Sequence, residues 1–450
     1  MIRTDSRKIE PGDIFVDLGN LNSERNIEDA ISRGAAQVVT QSGTYPVETI
    51  NVPDVRRYLE NMLQDAYGCI VSQMTLIGVT GTNGKTTTCY LISQLLCSLG
   101  IKCAYIGTIG FYMGDENRSL PNTTVDIAEL YELLLEANAK GYKHVALEAS
   151  SQGLDIGRLN TIKFDVAAFT NLTEDHLDYH HTMENYAAAK KLLFEKLKSE
   201  GTAVINVDDG WADYFRPENR KTVTFGFGPS DYRMVDFEEK EATKLIYEHA
   251  GQMHKIKTKL LGRYNMYNLM TCFACVGALG TSAEEMDRLS FMLESPDGRM
   301  DRIQYKNAEI IIDYAHTPDA FEKILDEVRA FAGGKIYMVF GCTGDREREK
   351  RPVMVEIALS RCSRAILTVD DIHGEDPEQI FADMLAENKR TNYEVCINRK
   401  DAIRKAMTLL KEGDVLLILG KGHEKFIAAD SGNIPHNDRQ AVLDIIAEEE

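Results

Sequence analysis

The chain has 450 residues, of which 44% are hydrophobic and 27% charged, and its formal net charge is −19. A chain this long is too large for one core, so two or three domains are expected. The acidic balance excludes a nucleic-acid binder, which needs a basic face, and any anionic substrate must be held by a local cluster of cations and backbone N–H groups.

In chain order, residues 13–18 and 36–40 read as strands and 27–33 and 55–67 as helices, forming a small α/β unit over 1–72. A larger unit follows over 73–300. Its apolar strand candidates are 76–80, 103–107, 145–149, 166–170 and 203–207, with helical patterns over 86–99 and 127–140. That alternation predicts a mainly parallel sheet with helices on both faces. Residues 220–260 read as shorter β-like segments. From 301 the alternation restarts: strand 310–314, helix 319–331, then strands 335–340, 365–368 and 415–419. This predicts a second doubly wound, Rossmann-like domain over 301–450. The fold class is therefore α/β in three domains.

The first residues are polar and lack the apolar core of a signal peptide, and no run approaches the ~20 apolar residues of a membrane helix. Nine cysteines are scattered without a disulfide-like framework. Cys272-Phe-Ala-Cys275 is the only C-x-x-C; in its apolar helical setting it reads as core packing, not a metal or redox pair. The expectation is a cytoplasmic monomer with no nucleic-acid partner and no membrane insertion.

Residues 77–88 read I-G-V-T-G-T-N-G-K-T-T-T, an apolar run, a glycine-rich turn, then Lys85 and three threonines. This is the chemistry of a phosphate cradle at a helix N-terminus. Backbone N–H groups point inward, Lys85 adds positive charge, and Thr86 offers a hydroxyl to Mg²⁺. ATP is the first ligand this implies. The P-loop rule asks for glycine where Val79 stands, so the match is imperfect. Four further polar clusters follow strand candidates, and in open α/β sheets ligands collect there. They begin at Glu148, Thr170, Asp313 and Gly341, and a fifth, Gly420-Lys-Gly-His-Glu424, follows the last strand. Glu148 and His176 are plausible oxygen and nitrogen ligands for Mg²⁺ or Mn²⁺ near the phosphates.

These motifs resemble those of the Mur ligases, ATP-dependent amide-forming enzymes of bacterial cell-wall synthesis, and most closely the MurE type. The resemblance runs from Thr4-Asp-Ser-Arg7 to the C-terminal helix. It rests on G-T-N-G-K-T-T-T at 81–88, N-T-T at 122–124, F-T-N-L-T-E-D-H-L-D-Y-H at 169–180, A-A-A-K at 187–190, G-R-Y-N-M-Y-N at 262–268, G-R-M at 298–300, D-Y-A-H-T-P at 313–318 and G-K-G-H-E at 420–424.

The resemblance implies that ATP phosphorylates the terminal carboxylate of UDP-N-acetylmuramoyl-L-Ala-D-Glu and that a free amino acid attacks the acyl phosphate. It also implies roles. Gly81, Thr82, Asn83, Gly84, Lys85, Thr86 and Thr87 hold phosphates. Thr86 and Glu148 share one Mg²⁺; His176 and a carbamylated Lys190 serve a second. Asn268 contacts adenine, Arg299 and Asp313 lie at phosphates and ribose, and His316 lines the nucleotide site from the C-terminal domain. Ser6 and Arg7 take the uridine side. Asn122, Thr123, Thr124, Ser150 and Arg158 take the muramoyl-peptide side. Asp370, Asp371, His373, Gly420 and Glu424 take the incoming amino acid.

The chain departs from the MurE pattern at Gln152, where histidine is usual, at Val125, and in its short N-terminus before Asp5. The largest departure is Asp370-Asp371-Ile372-His373, where enzymes selecting meso-diaminopimelate carry D-N-P-R. A guanidinium fork is lost and acidic residues gained, which favours L-lysine or L-ornithine. Two alternatives stay open: a related amide ligase with a folylpolyglutamate-like or specialised acceptor, and a nucleotide-binding scaffold without activity.

Overall fold

The computed structural model describes residues 1–19, 22–239, 242–386 and 388–449, and their three main sheets have four, eleven and six strands. The N-terminal sheet is parallel, in the order Ile2–Arg3, Ile14–Val16, Gln37–Thr40, Glu48–Asn51. Its two outer strands fall outside the expected elements. One has two residues and the other reads Glu-Thr-Ile-Asn, so neither carries an apolar run. Asp54 caps the helix Val55–Ser72 by accepting from Arg57 N at 3.0 Å, and the helix continues past the expected end at 67. Val16, Val39, Leu59 and Leu63 are buried in the same cluster as Leu76 and Leu147. The small unit thus shares a core with one face of the central sheet.

The centre of the large sheet is parallel, with neighbours Leu197–Asn206, Phe164–Phe169, Thr75–Thr80, His144–Glu148 and Cys103–Gly107. Successive side chains on a strand face opposite ways. Leu76 accordingly packs with Leu130 and Leu193 on one face, and Ile77 with Leu91 and Leu269 on the other. Each such buried side chain contributes about 1.5–3 kcal/mol. Antiparallel hairpins extend both edges: Gly110–Met113 with Glu116–Arg118, and Tyr232–Glu239, Thr243–His249 and Gln252–Thr258. Cys272 and Cys275 are free and buried in the helix Arg263–Ala278, as core residues.

The C-terminal sheet runs Asp301–Tyr305, Ala308–Asp313, Val415–Leu419, Ile336–Phe340, Arg364–Leu367, Tyr393–Val395, with only the first strand antiparallel. Helix Pro318–Phe331 covers one face through Phe321 and Ile324; Ile403 and Val442 cover the other. The carboxyl ends of the two larger sheets meet across one cavity of about 1320 Å³.

Candidate active site

The phosphate loop is shaped by two glycines. Gly81 has φ +148° and a Cβ there would lie 1.9 Å from Thr170 Oγ1; Gly84 has φ +86° and a Cβ there would lie 2.4 Å from Asn268 Oδ1. Lys85 starts the helix Lys85–Ser98 and folds back, donating to Gly81 O at 3.0 Å and Thr82 O at 2.8 Å. Burial lowers its pKa, opposed by Glu148 and Asp175.

Thr86 and Glu148, expected to share a metal, come together. Thr86 Oγ1 donates to Glu148 Oε2 at 2.9 Å, and Glu148 is fully buried at the end of His144–Glu148. Two residues missed in the sequence complete its surroundings. Thr108 donates from its backbone N at 2.9 Å and its Oγ1 at 3.1 Å, and the Tyr105 hydroxyl donates to Oε1. Both contacts cross between strands, so no local spacing announces them. Thr108 Oγ1 also lies 3.0 Å from Thr123 Oγ1, tying the metal-side carboxylate to the N-T-T motif.

Lys190 lies in the helix Met183–Glu195, is 1% exposed and has one hydrogen bond, to Gly81 O at 2.8 Å, with its Nζ 4.3 Å from the Tyr186 ring centroid. Burial and the neighbouring Lys85 push its pKa well below the ordinary lysine value. His176 adopts φ +56°, keeps 46% of its side chain exposed and sits 3.5 Å from Asp175. The crowded cleft and the Lys190 and Lys85 charges lower its pKa to about 4, with Asp175 opposing.

The C-terminal unit contributes directly. Arg299 reaches Thr86 Oγ1 at 3.5 Å with its guanidinium 4.4 Å over the Tyr314 ring. Asp313 accepts from Met300 N and Ala315 N, each at 2.8 Å. His316 bonds Tyr314 O through Nδ1 at 2.8 Å and lines the cavity with His176. Asp319 accepts from Asn83 Nδ2 at 3.1 Å and Thr173 Oγ1 at 3.2 Å. Asn268 is buried behind the loop, its Nδ2 on Asn265 Oδ1 at 3.0 Å.

On the peptide side, Thr124 Oγ1 donates to Glu148 O at 2.8 Å and accepts from Ser150 N at 2.9 Å; Arg158 donates to Thr124 O at 2.7 Å. Asn122, Thr123 and Gln152 line the cavity. Ser6 and Arg7 are not brought to it. Ser6 is buried in a 3-10 turn, and Arg7 is exposed and paired with Asp5 at 2.8 Å.

Asp370, Asp371 and Glu424 converge as expected, but the argument from their charge needs correction. Lys421, fully buried, sits among them, 2.6 Å from Asp371 and 3.8 Å from Asp370 and in contact with Glu424. The protein's own ammonium already offsets part of the charge of these three acids. Gly420, at φ +106°, makes room for Asp370, whose Oδ2 would lie 2.3 Å from a Cβ. His373 lines the cavity at φ +48°. Arg346, Lys350 and Lys425 also line it, with no ion-pair partner among the described residues.

The Mur ligase middle-domain family model matches residues 79–276, and the Mur ligase glutamate-ligase-domain model matches 298–422. The chain belongs to the Mur ligase family, the ATP-dependent, ADP-forming acid–amino-acid ligases. Within that family it is of the MurE type. A Geobacillus thermodenitrificans protein, named UDP-N-acetylmuramoyl-L-alanyl-D-glutamate–2,6-diaminopimelate ligase, is 37% identical, covering 97% of this chain and 93% of its own. A Bacillus cereus protein of the same name is 36% identical over 94% and 89%. A solved structure under that name has a TM-score of 0.68 at 33% identity, covering 100% of this chain and 94% of its own. The Thermotoga maritima MurF ligase in complex with ADP shares the fold, with a TM-score of 0.73 at 21% identity, over 100% of this chain and 97% of its own. The lysine or ornithine preference finds no support among these relatives, whose names specify diaminopimelate.

Proposed function

We propose that this chain joins diaminopimelate to UDP-N-acetylmuramoyl-L-Ala-D-Glu through an acyl phosphate, in peptidoglycan precursor synthesis. The observation that carries the reading is one cavity lined from the nucleotide unit by Thr108, Asn122, Thr123 and His176 and from the C-terminal unit by His316, Asp370, Asp371 and Glu424, with Thr108 tied to Glu148 beside the phosphate loop. The peptide's terminal carboxylate attacks the γ-phosphorus of ATP and ADP leaves. The amine nitrogen then attacks the activated carbonyl carbon, the C–O bond to phosphate breaks, and the amine loses a proton. Catalysis here is mostly positioning and charge neutralisation.

Lys85, Arg299 and the loop N–H groups supply the positive charge that the phosphates need. Thr86 and Glu148 present hard oxygens of the kind Mg²⁺ takes, 2.9 Å apart, so the donor set fits. Bound there, Mg²⁺ neutralises charge developing on the transferred phosphoryl group. Carbamylation of Lys190 is supported by its buried amine, by a pKa that burial and Lys85 push well below the ordinary lysine value, and by the lack of a carboxylate within bonding distance among the described residues. The deprotonated amine would add CO₂, forming an N–C bond and releasing a proton, and the carbamate with His176 would offer ligands to a second Mg²⁺. Ser6 and Arg7 lie on the small domain, suited to the distant uridine end of a long substrate.

Two features support a substrate with a distal carboxylate. Lys421 offsets one of the three acidic charges that would otherwise select a plain ammonium, and Arg346, Lys350 and Lys425 bring further cations to the cavity with no ion-pair partner among the described residues. Comparing kcat/KM for meso-diaminopimelate, L-lysine and L-ornithine tests this. Diaminopimelate should lead by more than about tenfold, the discrimination a site loses when a charged partner is missing; a lead for lysine or ornithine overturns it.

A further inference from the structure

The helix Arg263–Ala278 begins at Gly262, which has no side chain to cap it. Its first N–H groups therefore need partners from elsewhere. Gly262 N donates to Glu239 Oε2 at 2.9 Å, from the strand Tyr232–Glu239 of the central unit itself. Arg263 N donates to Glu327 Oε1, and Glu327 belongs to the helix Pro318–Phe331 of the C-terminal unit. A carboxylate of one domain thus completes the helix cap of another. The capped helix also carries Asn268, whose amide oxygen packs against Gly84 of the phosphate loop.

The contact is reinforced nearby. Arg302, on the C-terminal sheet, reaches Glu239 Oε1 at 3.4 Å across the same boundary. At the other end of Glu327's helix, Asp319 accepts from Asn83 in the phosphate loop at 3.1 Å. One helix therefore grips the nucleotide domain at both ends.

We propose that Glu327 is a positioning residue for the ligation: it latches the C-terminal domain onto the nucleotide domain through the N-terminus of helix Arg263–Ala278, in a pH-dependent way. The groups facing it are Arg263 and Tyr264 on the capped helix and Glu239 on the strand Tyr232–Glu239; Arg302 and Glu309 of the C-terminal sheet lie beyond Glu239, and Lys323, one turn away on its own helix, is paired with Asp319 at 2.8 Å. Burial and the Glu239 charge raise the Glu327 pKa to about 7, outweighing the N–H groups that lower it. Undocking exposes the side chain and returns it to the ordinary carboxylate range. The docked state therefore holds the proton more tightly. Docking is fully favoured at low pH and weakens as pH rises through about 7. The inference holds whichever amino acid is ligated.

The test is small-angle scattering together with the KM for ATP, at about pH 6 and about pH 8, on wild type, Glu327→Gln and Glu327→Ala. Gln keeps the acceptor oxygen and cannot ionise. The wild-type KM should rise by about tenfold more than that of Glu327→Gln over this interval. The wild-type radius of gyration should rise with it, while that of Glu327→Gln stays constant. Glu327→Ala should be expanded, with a high KM, at both pH values; circular dichroism confirms that it is folded. Equal pH dependence in wild type and Glu327→Gln, or a folded Glu327→Ala that behaves as wild type, overturns the proposal.

Discussion

Lys190 concentrates the conflict between stability and function. Burial and Lys85 push the Lys190 pKa well below the ordinary lysine value of the unfolded chain, so the folded state binds that proton less tightly. Its burial therefore costs stability, increasingly so as pH falls below that ordinary value toward the folded one. Lys190→Met should abolish ligation yet stabilise the metal-free protein at neutral pH by about 1–3 kcal/mol, and by less as pH nears 10. Thermal unfolding at two pH values checks the sign; destabilisation at neutral pH contradicts it. Lys190→Ala should be inactive and regain activity with a small carboxylate such as acetate, whereas full activity without rescue removes the carbamate role. Gly81→Ala puts a Cβ against Thr170 Oγ1 in a backbone region that suits glycine. It should cost about 2–4 kcal/mol and most ATP affinity, read by unfolding and calorimetry. At this scale the sequence was legible where a motif carries its own chemistry, as with Lys85, Thr86 and Glu148. It was silent on Tyr105 and Thr108, whose partner lies on another strand, and it marked Lys421 within G-K-G-H-E without assigning it a partner.

At the level of elements, the parallel strands were readable because both faces are buried, which leaves near-continuous apolar runs such as Val-Leu-Leu-Ile-Leu at Val415–Leu419. The expected strand at 145–149 is found at His144–Glu148, with Ala149 N still donating to Val79 O at 2.9 Å just past its end. The edge hairpin Gly110–Met113 with Glu116–Arg118 was hidden by its exposed, charged second strand. The loop after Ile336–Phe340 depends on Arg351. This fully buried guanidinium donates to both Glu375 oxygens, at 2.9 and 2.8 Å, and to Asp383 at 2.8 Å. Hydrogen bonding from Arg351 lowers the Glu375 pKa to about 2. That stability is present above the ordinary glutamate value and is lost as pH falls from there toward about 2. Arg351→Ala leaves Glu375 and Asp383 with only the exposed Arg348, at 2.8 and 3.8 Å, and should cost up to about 3–5 kcal/mol in denaturant unfolding at pH 7. A loss under about 1 kcal/mol would show that the pair is solvated.

For the whole molecule, the sequence indicated three α/β units but not their mutual arrangement, which depends on contacts between residues far apart in the chain. Asn83 with Asp319, Arg263 with Glu327 and Glu239 with Arg302 each join segments more than sixty residues apart. They bring the nucleotide unit against the C-terminal unit so that Thr108 and His176 of the one and Asp370 and Glu424 of the other line one cavity, where a carboxylate can be activated and then meet an amine. The most direct test uses the dipeptide substrate labelled with ¹⁸O in its terminal carboxylate, with ATP and meso-diaminopimelate. Attack of that carboxylate on ATP transfers one ¹⁸O per turnover to the released phosphate, alongside the tripeptide product. Unlabelled phosphate, or ADP formed at an undiminished rate without the amino acid, would contradict activation of the peptide carboxylate for amide formation.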